Sequence, residues 1–341
     1  MNPLLVGLIL PAEPVPAWAA RLIDRLRSQP ETELVTALIL PQPELTHRLF
    51  RAYLALDGND ANPCTLPAPC RLLPAALAAV ASGGEIWMLD SANYNTATVN
   101  VTKSVKILAV PGAVGSVLAI GGPAISIATA GVDVSLRNLV IAPLPGGGGT
   151  NGVQMTAGNS LTVEGSFLSG LTGTGIFVSG AGLKVVDTTI RVTGSGNGIS
   201  VWNGARATVA RAVISSNTQS AIRVEANAAD TTTTASISGS TLEGSFAGLW
   251  AQSLHATAVL KVAVTGCQVD RTSIGLHAES SAGAPVTLTA SNNLVTNTTV
   301  WGIYVNGTGA KAWATGNTVT DNVYGFVAVT NGVFESAGNN A

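Results

Sequence analysis

Gly248-Leu-Trp-Ala251, Gly275-Leu-His-Ala278 and Gly302-Ile-Tyr-Val305 are copies of one phrase, a small residue followed by apolar-x-apolar. The phrase recurs as Gly152-Val-Gln-Met155, Gly175-Ile-Phe-Val178, Gly198-Ile-Ser-Val201, Ala221-Ile-Arg-Val224 and Gly325-Phe-Val-Ala328. Successive starts are 27 residues apart from Ala221 to Gly302 and 23 apart elsewhere. A second phrase follows, with apolar residues on either side of a small or polar turn, as in Val185 to Ile190, Val209 to Ile214, Ile237 to Leu242 and Val264 to Val269. Two short strands joined by Asn, Gly, Ser or Asp make one coil of a parallel β-helix, and no such unit can bury its apolar face alone. An antiparallel sandwich would not require phrases to recur at these intervals.

Because a strand alternates its faces, Ile176 and Val178, Ile199 and Val201, Ile222 and Val224, Leu249 and Ala251, Leu276 and Ala278, and Ile303 and Val305 form inward columns. Ile125, Ile127, Leu136, Leu139 and Ile141 extend the pattern backward, as do Ile86, Leu89, Val99, Val101, Val105 and Ile107 with less regular spacing. The fold expected is all-β, a right-handed, single-stranded parallel β-helix over residues 85–341.

Composition agrees. Charged residues are only 11% of the 341, and Gly, Thr, Ser, Asn, Ala and Val crowd the chain after residue 80. A formal net charge of −2, with 17 scattered Lys and Arg, offers no basic field, so nucleic acid is not an expected partner. The apolar run Leu4 to Leu10 is too short to span a bilayer and meets Pro11 and Glu13 at once. Met1-Asn2-Pro3 lacks the positive charge of a signal peptide, and no such peptide is expected from this stretch.

Residues 1–57 have a different texture. Leu4 to Leu10 and Leu34 to Leu40 read as strands; Trp18, Leu22, Ile23 and Leu26 fall at helical spacing, and Glu44 to Leu56 reads as a second helix. Turn residues at Asp57-Gly-Asn-Asp-Ala-Asn62 mark the boundary of this β-α-β-α segment. Over residues 58–84, Cys64 and Cys70 frame a Pro-rich loop that suits a local disulfide, two free thiols being the alternative. Arg71 to Ser82 reads as an amphipathic helix closed by Gly83-Gly84, placed to cap the first coil. Cys267 lies in apolar alternation and reads as a small buried filler.

Around Glu13-Pro-Val-Pro-Ala-Trp18, the first segment resembles the opening of formyltransferase-like Rossmann domains. The likeness covers less than a fifth of the chain and stops before any catalytic segment, so no functional residue is carried over. Residues 58–341 resemble bacterial right-handed parallel β-helix repeat proteins of pectin lyase-like architecture. That resemblance lies in Asp60-Ala-Asn-Pro-Cys64 with Ala68-Pro-Cys70, Gly83-Gly-Glu-Ile86, Val101-Thr-Lys-Ser-Val105-Lys-Ile107 and the recurring phrases. It implies an exported protein, extracellular or periplasmic, of unassigned activity.

Between the inward positions, one outward column runs Gln154, Phe177, Ser200, Arg223, Trp250, His277, Tyr304, Val327, and a second runs Thr156, Ser179, Trp202, Glu225, Gln252, Glu279, Asn306, Val329. Ser200 is expected to face solvent. Trp202, Trp250, Gln252, Tyr304 and Asn306 are candidate glycan contacts, since aromatic faces beside hydrogen-bonding groups suit sugar rings. Glu225 and Glu279, two coils and hence about 10 Å apart, with Arg223 and His277, are the candidates for catalysis. Inverting glycosidases hold their carboxyl groups roughly 6.5–9.5 Å apart.

Other templates fail. The Asp pairs and Gly-His-Asp phrase of polygalacturonases are missing, as is the acidic calcium cluster of pectate lyases. His47, His255 and His277 make no zinc set with a Cys pair, residues 1–57 contain no G-x-G-x-x-G loop, Gly146 to Gly149 reads as a flexible turn rather than a phosphate cradle, and no G-x-S-x-G elbow stands out. Neither a cofactor nor a metal is expected. The functional expectation is a noncatalytic extracellular or surface-associated β-helix that binds a polysaccharide or cell-surface glycan. The competing one is a polysaccharide lyase or inverting glycoside hydrolase acting on the same face.

Overall fold

The computed structural model describes residues 4–10, 32–39, 49–191, 194–215 and 218–341. The chain divides between Arg48 and Leu49. In the first unit, Leu4–Leu10 pairs in parallel with Thr32–Ile39. The helix expected between these strands lies outside the described residues.

Each coil of the second unit has three strands rather than the two read from the phrases. Ile176–Ser179 leads to Gly182–Val186, and after a bend at Asp187 the chain continues as Thr189–Arg191 before rising to Ile199–Trp202. The second phrase is thus split across two sheets. Its bend is a single residue in the left-handed region, seen at Asn138, Asp187, Arg211 and Asn292 and at Gly165, Gly239, Gly266 and Gly316. Left-handed φ is costly for most side chains, which explains why Gly, Asn and Asp dominate this column.

Stacking the coils gives three parallel sheets. The first has 12 strands, from Leu49–Leu54 to Val333–Ser336; the second has 10, from Ala92–Asn93 to Thr318–Thr320; the third has 10, from Val99–Val101 to Tyr324–Val329. The inward columns named above, from Ile176 to Val305, are fully buried, as are Ile125, Ile127, Leu136 and Ile141. At the N-terminal end Met88 turns inward, whereas Leu89 is only half-buried. The small residue that opens the phrase is explained by closeness of the coils: a Cβ on Gly275 would lie 2.3 Å from the Gly302 carbonyl oxygen.

Coil length sets strand length. In the 23-residue coils the third-sheet strands have 4 to 6 residues, as at Ile176–Ser179 and Trp301–Asn306, and in the 27-residue coils they have 7, at Ser220–Ala226, Ala247–Ser253 and Ile274–Ser280. The added residues widen this face where the large polar and aromatic side chains gather.

The N-terminal end is closed by Leu49–Leu54, which pairs with Val80–Met88, and by the helix Leu73–Ala79. Two expectations change here. Residues 49–54, read as part of a helix, form a strand because Ala52 and Leu54 extend the buried columns of the first sheet. The capping helix stops at Ala79 rather than Ser82 because Val80 turns extended and enters the sheet. Leu73, Ala76 and Leu77 cover the first coil, and the Asp60 carboxylate accepts from the Arg71 and Leu72 N–H groups just before the helix. Cys64 and Cys70 form a disulfide. Cys267 is buried, and burial raises its thiol pKa. Among the described residues no helix is long and apolar enough to cross a membrane.

Candidate functional site

The outward face of the third sheet is built by register. Arg223, Trp250, His277 and Tyr304 are successive partners in one column; Trp202, Glu225, Gln252, Glu279 and Asn306 are successive partners in the next. The long strands add an outward position three residues upstream, filled by Ala247, Ile274 and Trp301. Reading strands only from the Gly of each phrase hid these residues. Their signal was the apolar or aromatic residue immediately before Gly248, Gly275 and Gly302.

The rings in this face stack. Trp250 lies 5.2 Å from His277, His277 lies 4.6 Å from Tyr304, and Tyr304 lies 4.1 Å from Trp301, measured between centroids. Phe246, an exposed loop residue, sits 6.2 Å from Trp250, and the Arg223 guanidinium lies 3.8 Å from the centroid of the Trp250 ring. Ladder formation buries the inner rings: His277 is 4% exposed and Tyr304 is nearly as covered, while Trp250 and Trp301 remain half-buried. His277 and Tyr304 therefore back the surface, and Trp250, Trp301 and Phe246 present it.

Trp202 stands apart, packed edge-on against Phe177 at 5.2 Å. Ser200 is 1% exposed rather than facing solvent, its hydroxyl accepting from the Asn197 amide at 3.1 Å.

The polar column is internally bonded. Arg223 donates through Nε and Nη2 to Glu225 Oε2 at 3.1 and 2.9 Å, and Nη2 also donates to Gln252. Asn227 donates to Glu225 Oε1. Trp250 Nε1 donates to Glu279 Oε2 at 2.9 Å, and the Ser281 hydroxyl donates to Oε1 at 3.1 Å. Burial lowers the Arg223 pKa, opposed by Glu225. Burial raises that of Tyr304, with Glu279 adding to the effect.

Neither ring nitrogen of His277 has a hydrogen-bond partner, and Nε2 is 3.8 Å from Glu279 Oε2. Burial, aided by the Arg223 charge, pushes its pKa down to about 3, so the imidazole is neutral and makes no ion pair with Glu279 at neutral pH. The native state favours neutral His277. Its contribution to stability is complete above the ordinary value of 6.5 and is lost as pH falls from there toward about 3. His277→Phe is expected to flatten the stability profile over that interval, as read by urea unfolding at successive pH values; an unchanged slope would count against the buried neutral imidazole.

A further aromatic lies on another face: Trp313, in the first sheet, is 47% exposed beside Lys311 and a groove of about 380 Å³ that Thr289, Thr315 and Glu335 help to line. Among the described residues no three His, Cys, Asp or Glu side chains gather as metal donors.

The family model described as a right-handed β-helix region matches residues 116–264 and 151–341. The chain belongs to this family. Similar solved β-helices include pectate lyase Pel9A, 16% identical over 85% of this chain and 78% of that one, with a TM-score of 0.53. The polygalacturonase from Erwinia carotovora ssp. carotovora is 13% identical over 76% and 90% of the two chains, with a TM-score of 0.52. The complex of XylC with xylose is 8% identical over 84% and 69%, with a TM-score of 0.51. At such identities the likeness is one of fold. A search of curated proteins finds no match.

Proposed function

We propose that this β-helix is a noncatalytic glycan-binding protein of an extracytoplasmic compartment, and that its contact surface is the outward face of the third sheet across the 27-residue coils. The observation that carries the reading is the half-exposed aromatic ladder of Phe246, Trp250 and Trp301 beside the polar column of Gln252, Glu279 and Asn306. Pyranose rings offer apolar C–H faces and hydroxyl edges, which match an indole flanked by amides and carboxylates. Support also comes from similar folds whose names refer to carbohydrates, xylose among them. The Cys64–Cys70 disulfide supports the compartment.

The bonding of the face favours binding over chemistry. Inverting hydrolysis needs one carboxyl group held protonated and a second free to activate water. Here Glu225 is committed to Arg223 and Asn227, Glu279 to Trp250 and Ser281, and His277 is walled in.

Trp250→Ala tests the surface, with Trp313→Ala as a control on a different face. Retention on immobilised oligosaccharides is expected to weaken about tenfold or more for the first and to stay unchanged for the second, since a central aromatic contact is typically worth more than 1 kcal/mol. Both variants should fold. A lowered melting temperature for Trp250→Ala with unaltered retention would show that the ladder is only a cover.

A further inference from the structure

We infer that the glycan recognised by this face is an uncharged polymer and that polyuronates are excluded; this rests on the glycan-contact reading above. The inference comes from where the charges are and how they are used. Across Ser220–Ala226, Ala247–Ser253, Ile274–Ser280 and Trp301–Asn306, the charged side chains are Arg223, Glu225 and Glu279, which leave the face one negative charge in excess. His277 does not alter the balance, being neutral and buried.

The one cation of these strands is already consumed. The Arg223 guanidinium donates to Glu225 and Gln252 and lies over the Trp250 ring, so engaging a uronate would break a partly buried ion pair and leave Glu225 without its cation. In the adjoining turns, Arg271 is held by Glu243 at 2.6 Å and by Asp270, while Asp230 adds another carboxylate. A polyuronate places a carboxylate on every ring, and each would approach this surface against its net charge.

Neutral sugars meet the opposite situation. Their hydroxyl groups both donate and accept and carry no charge, so they suit a face whose polar side chains are the Glu279 carboxylate and the Gln252 and Asn306 amides. The half-buried indoles of Trp250 and Trp301 lie beside these groups. Recognition therefore pairs uncharged hydroxyl groups with the polar column beside the half-buried indoles.

Calorimetric titration with xylohexaose, cellohexaose and hexagalacturonate at low salt tests this on wild type and Glu279→Gln. The substitution keeps an acceptor for Trp250 Nε1 while removing one negative charge. At least one neutral probe should bind, and hexagalacturonate should bind about tenfold or more weakly, a gap of about 1.4 kcal/mol. That gap should narrow in Glu279→Gln and at higher salt, because both weaken the repulsion. Hexagalacturonate binding as tightly as the neutral probes, with or without calcium, would overturn the inference while leaving the glycan-contact reading standing. Failure of every probe to bind would overturn both.

Discussion

Ile222→Asp is expected to unfold the β-helix or to lower its stability by roughly 5 kcal/mol, whereas Thr208→Asp should change it by less than about 0.5 kcal/mol. Ile222 is fully buried and sits in register between Ile199 and Leu249. A carboxylate there has coils above and below, no cation within the stack and no route to water. Thr208 points outward from the first-sheet strand Arg206–Ala210 and is exposed. Equal melting temperatures for the two variants would show that the inward and outward columns have been misassigned. Ser200, read from alternation as solvent-facing, would have been a poor control, since it is outward yet covered.

The second large effect is expected at Asn317, which belongs to a buried asparagine ladder rather than to the apolar core. Its carbonyl oxygen accepts from the Asn293 backbone N–H and side-chain amide at 3.0 and 2.9 Å. Its own amide donates to the Ala290 carbonyl at 2.8 Å and to Asn340 at 2.9 Å. Asn317→Ala leaves both Asn293 donors and the Ala290 carbonyl short of a partner in a buried turn, at an expected loss of about 4 kcal/mol. Asn339→Ala, at an exposed position that accepts from Thr315 and Gly316, should cost about 1 kcal/mol or less. Chemical denaturation of both variants checks the difference, and a comparable loss in the two would remove the ladder as a distinct source of stability.

The inward columns were legible in the sequence because burial by stacking forces a strict two-residue period wherever a strand lies flat. The third strand of each coil was hidden, since the bend between the first and second sheets takes only one left-handed residue and the short polar turn inside Val185 to Ile190 reads as part of a single phrase rather than as a change of sheet. Arg211 at a bend disguises it further, its side chain paired with Asp187 in the bend of the preceding coil. The composition of the outward face was also legible, as pleat parity alone places Arg223, Trp250, His277 and Tyr304 in one column.

Exposure within that column was not legible. Whether Tyr304 meets solvent depends on Trp301, three residues away on the same strand, and burial of His277 depends on rings from the coils on either side. Parity fixes direction, while coverage arises from side chains meeting across coils. The strand at Leu49–Leu54 was misread for a related reason: its apolar residues are shared by helix and strand templates, and only pairing with Val80–Met88 selects between them.

Incubation of the wild-type protein with a panel of neutral and uronic-acid oligosaccharides, followed for both retention and product formation, tests the central claim most directly. The account predicts saturable retention that depends on Trp250, with no new reducing ends and no unsaturated products. Release of either product at a rate proportional to protein concentration, and its loss in Glu225→Gln or Glu279→Gln, would contradict it and place a lyase or hydrolase on this face.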